Sequence, residues 1–137
     1  MVVGIDGSDH SLTALRTAII EARRRGAELH VVHVADFTPA TLLLPGDVRV
    51  DTADIAAAHR KEVWDLAEPV IGSTEAVKRV DLDGYPVDAL IDYCEEIDAG
   101  LLVLGTRGRG GMAATFLGST SLRASERAQC DVLIAKA

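Results

Sequence analysis

The stretch LLVLGTRGRGGMAATFLGST, Leu101 to Thr120, decides how this chain folds. Leu101 to Leu104 are four consecutive apolar residues, the mark of a β-strand covered on both faces, as in a parallel sheet. The glycine-rich stretch from Gly105 to Gly118 lets a backbone turn tightly and brings its amides close to a ligand. Gly118-Ser119 opens a helix, where free amides and the helix dipole make an anion site. The hydroxyls of Ser119 and Thr120 read as caps for that helix and can add hydrogen bonds to phosphate oxygens. Gly105, directly after the buried strand, leaves room for a flat group against the backbone. Strand end, glycine loop and helix start together suit the ribose and phosphates of a nucleotide. Arg107 and Arg109 either reach phosphates or are solvated charges.

Outward from this stretch the same alternation continues. Val2 to Ile5 is a short apolar strand closed by Asp6-Gly7. Ser8 to Arg25 reads as a helix, with Leu12, Leu15, Ile19 and Ala22 at helical spacing, Ser8 as N-cap and Gly26 as terminator. Leu29 to Val34 is a second strand. Residues 35–52 read as a loop broken by Pro39, Pro45 and Gly46. Asp54 to Val70 is helical. Ala76 to Leu82 is a strand carrying Lys78, Arg79 and Asp81, as expected at a sheet edge. Pro86 fits the first position of the next helix, whose apolar face is Val87, Leu90, Ile91, Cys94 and Ile97. Ser119 to Gln129 and Asp131 to Ala135 complete the series as a helix and a strand. The order βαβαβαβαβ predicts an α/β fold: one domain over residues 1–137, an open parallel five-stranded sheet with helices on both faces. In such sheets ligands bind beyond the carboxyl ends of the strands, where strand order reverses. Three segments qualify: the turn after the first strand, the end of the second strand and the loop after the fourth.

Composition narrows the partners. With 137 residues, the chain can bury roughly two thirds of its unfolded surface in one core. Aromatics are only 4%, too few for a base-stacking surface, and the net charge of −7 disfavours nucleic acid and anionic membranes as partners. No apolar run approaches the ~18 residues of a membrane span. The opening residues lack the basic stretch and apolar run of a signal peptide, and Cys94 and Cys130 form no close-spaced motif, so a cytoplasmic location is expected. Cys94 reads as a small core residue and Cys130 lacks a redox partner in sequence. His33 reads as packed or solvated, and His10, His30 and His59 as structural or exposed.

On these residues the sequence resembles the universal stress protein family. Its ATP-binding members carry Gly, two residues, Gly, nine residues, Gly, then Ser or Thr, and Gly105, Gly108, Gly118 and Ser119 fit that spacing. The opening Val2 to Ser8, the strand end His33-Val34 and the Gly84-Tyr85-Pro86 approach to the third helix are similar too, so the resemblance spans nearly the whole chain. Gly100 departs from it, standing where an Asp is usual. The resemblance implies a Rossmann-type fold of the adenine-nucleotide alpha-hydrolase kind that binds ATP or another adenine nucleotide with Mg²⁺. It implies that Asp6, Gly7 and Ser8 line the phosphate and metal side, with Asp6 an indirect Mg²⁺ ligand or a simple turn residue. Val34 would meet adenine through its backbone, Leu104 and Gly105 would flank adenine and ribose, and Gly108, Gly118, Ser119 and Thr120 would hold phosphates. It further implies a homodimer through the last strand, where Val132-Leu133-Ile134 is apolar, and a role in stress response or signalling.

Rival readings are narrower. No Walker loop is present, and Gly108 to Ala113 mimics a dinucleotide fingerprint only weakly, because no acidic residue ends the next strand. A phospho-receiver domain would use Asp6, Asp81 or Asp83, Thr106 and Lys136, but only one carboxylate closes the first strand. A flavodoxin-type carrier lacks the aromatic rings. Slow ATP hydrolysis is compatible with the favoured reading, although no general base is assignable from sequence.

Overall fold

The computed structural model describes residues 1–35, 52–107 and 117–137. The expected loop around Pro39, Pro45 and Gly46, together with Gly108 and Arg109, lies outside the described residues. The elements are β1 (Val2–Ile5), α1 (Asp9–Arg25), β2 (Leu29–Ala35), α2 (Thr52–Ile71), β3 (Val77–Asp83), α3 (Pro86–Glu96), β4 (Leu101–Gly105), α4 (Ser119–Arg127) and β5 (Asp131–Ala135).

Local chemistry sets the boundaries. Ser8 caps α1, its hydroxyl accepting from the Ser11 amide. Gly26 ends the helix in the left-handed region at φ 60°, a conformation that needs no Cβ, and its amide donates to the carbonyls of Ala22 and Arg23. Arg23, Arg24 and Arg25 then sit at the negative end of the helix dipole. Pro86 stands at the first position of α3, where its missing N–H costs nothing. Helix α4 stops at Arg127, short of the expected Gln129, because Ala128 already takes the extended backbone that leads into β5.

The five strands lie in the order β3-β2-β1-β4-β5 and every pair is parallel. β1 and β2 register Val3 against Val31, and β1 and β4 register Val3 against Val103. The chain winds from β1 outward to β3, then crosses back to β4 and outward to β5. Right-handed crossovers in the two directions place helices on opposite faces. One face packs Val3, Leu15, Ile19, Val31, Val63 and Val103 under α1 and α2. The other packs Val2, Val32, Leu90, Ile91, Leu102 and Ala124 under α3 and α4. β4 is buried at every residue, as its unbroken apolar run requires. β3 is an edge strand with mostly exposed charged residues, as expected.

This order removes two rivals. A receiver or flavodoxin sheet places β3 beside β1. Here β2 separates them, so Asp81 and Asp83 on the edge strand cannot join Asp6 at the end of β1. The strands that flank β1 are β2 and β4. The three segments expected to carry ligand chemistry therefore converge on neighbouring strand ends, with the reversal of strand order between β1 and β4.

Candidate functional site

The crevice lies between the carboxyl ends of β1 and β4, where α1 leaves to one face of the sheet and α4 to the other. Its β1 wall is the turn Asp6-Gly7-Ser8. Gly7 adopts φ +82°, which a side chain would strain. One Asp6 carboxylate oxygen, Oδ1, accepts from the Ser8 amide at 2.9 Å and from the Ser8 hydroxyl at 2.6 Å. Ser11, buried beneath, donates its hydroxyl to the Ser8 carbonyl at 2.9 Å and accepts from the Asp6 amide at 3.2 Å. Asp6 is thus a turn-former whose carboxylate orients the start of α1. Among the described residues no group of three or more His, Cys, Asp or Glu side chains could hold a metal ion.

The β4 wall is built by contacts that the sequence does not reveal. The Thr106 carbonyl accepts from the Gly118 amide at 2.7 Å, and the Gly105 carbonyl accepts from the buried Ser121 hydroxyl at 2.6 Å. These two bonds fasten the start of α4 to the end of β4. The Thr106 hydroxyl meets Nδ1 of His10 across the crevice at 2.9 Å. His10, expected to be structural or exposed, thus links the two walls. Gly105 is required for a reason other than ligand access. A Cβ there would lie 2.5 Å from the His10 carbonyl oxygen, so the missing side chain admits the backbone of α1.

The N-cap of α4 is Gly118, which has no side chain to bond. Ser119 and Thr120, expected to cap the helix, lie one and two positions beyond the cap and leave that function unfilled. Their amides belong to the first turn, whose N–H groups have no intrahelical acceptor and carry the positive end of the dipole. Ser119 is exposed and Thr120 half-buried. The Leu104 side chain points away from the crevice into the core beside Gly4 and Leu90, so only its backbone can serve the site. β2 continues to Ala35 past the Ile5–His33 pairing, which carries Val34 to the mouth of the crevice.

A second polar cluster flanks this mouth under α2. His33 is buried and donates through Nδ1 to Asp81 at 3.2 Å. Trp64 donates to the same oxygen at 3.0 Å, and Arg60 stands 3.5 Å from it. Burial pushes the His33 imidazole below its ordinary 6.5, and the Asp81 hydrogen bond and charge push back.

The architecture is that of an open parallel-sheet protein whose strand order reverses between β1 and β4, with the starts of α1 and α4 following those two strands. The universal stress protein family model matches residues 1–136, and the chain belongs to that family. It is 31% identical to the universal stress protein YxiE of Bacillus subtilis, over 99% of this chain and 97% of that protein. It is also similar to a universal stress protein solved in complex with cAMP, at 30% identity and a TM-score of 0.68, covering 98% of this chain and 94% of that one. A universal stress protein from Archaeoglobus fulgidus solved in complex with dAMP matches at 28% identity and a TM-score of 0.65, covering 98% and 95%. No helix among the described residues is long and apolar enough to cross a membrane.

Two outcomes follow from this geometry. Gly105→Ala is expected to cost about 1–3 kcal/mol in urea unfolding as α1 is forced off β4, whereas Gly100→Ala, with open space around its Cβ position, changes stability by less than about 0.5 kcal/mol. His33 binds its proton less readily in the folded state than in the unfolded chain. Its contribution is complete above 6.5 and declines as pH falls through that value toward the lower folded pKa. His33→Gln is therefore expected to flatten the fall in unfolding free energy between about pH 7 and about pH 5.

Proposed function

We propose that this protein binds an adenine nucleotide in the β1–β4 crevice, with ATP as the ligand, and acts as a nucleotide-dependent module in stress response or signalling. The observation that carries the reading is the start of α4. Gly118 caps it without a side-chain bond, and the amides of a helix's first turn have no intrahelical acceptor and suit an anion. The complexes of the two relatives with cAMP and dAMP support it, since both ligands join adenine to a phosphate.

In this reading the phosphates lie against Gly118, Ser119 and Thr120 on one side and Gly7 and Ser8 on the other. Gly108 is assigned to the same phosphate loop. The adenine meets the backbone of Val34, and the ribose lies by the backbone of Leu104 and Gly105. Asp6 presents a single carboxylate already engaged by Ser8. It suits Mg²⁺ through water, the ion taking its direct ligands from phosphates and solvent, as Mg²⁺ commonly does.

The proposal extends to a homodimer through β5. That strand has a sheet neighbour on one side only, and Val132, Leu133 and Ile134 are only half-buried in the single chain.

Gly118→Val is expected to keep the far-UV circular dichroism of the parent and to weaken ATP binding in calorimetry by about tenfold or more, about 1.4 kcal/mol. Full retained affinity would refute the site. Leu133→Asp is expected to halve the mass seen in sedimentation equilibrium, and an unchanged mass would refute the β5 interface.

A further inference from the structure

Cys94 and Cys130 stand far apart in sequence, yet the fold brings their side chains together. Cys94 lies in the last turns of α3, buried, with its carbonyl held by the Ala99 amide at 2.8 Å where the helix turns off. Cys130 is half-buried on the connection from α4 into β5. Both pack into the core beneath α3 and α4, and both line one surface cavity of about 490 Å³. Both are free thiols. The cavity rim carries Glu95, Asp98 and Asp131.

We propose that Cys94 and Cys130 form a reversible redox pair, oxidised to an intramolecular disulfide by small neutral hydroperoxides. Cys130 is the first target, because it is the less buried of the two residues. Its thiolate attacks the peroxide, the O–O bond breaks, and one oxygen stays on sulfur as sulfenic acid while the other leaves as water or alcohol. The Cys94 sulfur then displaces that oxygen as a second water. The S–S bond forms, two thiols lose two electrons, and the hydroperoxide is reduced by two. Cys94 is a poor first target: burial, then the neighbouring Cys130, pushes its thiol up to about 12. The acidic rim repels anionic disulfides such as oxidised glutathione and admits an uncharged peroxide. The covalent ring so closed contains β4, the glycine-rich connection and α4. It stands independently of the nucleotide reading.

Intact mass spectrometry of the reduced full chain after hydrogen peroxide treatment tests this. The expected product is a monomer lighter by about 2 Da, with neither thiol open to alkylation after denaturation and both restored by dithiothreitol. Cys94→Ser is expected to stop at a Cys130 sulfenic acid that dimedone traps, and Cys130→Ser to leave Cys94 unoxidised. The parent chain decides the matter even if Cys94→Ser fails to fold. Cys130 driven to sulfinic acid while Cys94 stays alkylable would overturn the proposal. So would a disulfide-linked dimer as the main product.

Discussion

The hydrogen bond from the Gly118 amide to the Thr106 carbonyl, reinforced by Ser121 on the Gly105 carbonyl, is the contact on which the site depends. It seats the first turn of α4 against the end of the most buried strand. Without it the first turn of α4, which carries the positive end of the helix dipole, would have no fixed place beside β4. The same strand end receives α1 from the other side, since Gly105 lets the His10 carbonyl approach where a Cβ would stand. Two helix starts are thus anchored on one strand terminus, and the Thr106–His10 contact ties them to each other.

Most of the fold was legible in the sequence, because each element carries a local signal. The apolar run of β4, the Ser8 cap, the Gly26 terminator and Pro86 at the head of α3 mark their positions within a residue or two. Strand order was less legible. Alternation of strands and helices is shared by several doubly wound sheets, and only the observed β3-β2-β1-β4-β5 arrangement separates this one from a receiver or flavodoxin sheet.

The candidate site rests on glycines and hydroxyls that the sequence displays, but the contacts that support it are not legible there. His10 and Thr106 are 96 residues apart, so no spacing rule joins them. Ser121 looks like any helical serine until its hydroxyl is found on the Gly105 carbonyl. Gly105 was read as making room for a ligand, whereas the room is taken by backbone. Ser119 and Thr120 were read as caps, whereas a glycine holds that position and leaves the first turn open. Cys130 has no redox partner close in sequence, and Cys94, which lines the same cavity, lies on α3. These failures share one physical cause: tertiary contacts between distant segments decide which local groups are spent and which remain available.

The most direct measurement is a titration of the ¹⁵N-labelled protein with ATP and Mg²⁺, followed by amide chemical shifts. If the account holds, the largest shifts fall on Gly7, Ser8, Gly118, Ser119 and Thr120, the residues proposed to lie against the phosphates. Shifts concentrated away from both strand ends, or none at saturating nucleotide, would contradict it.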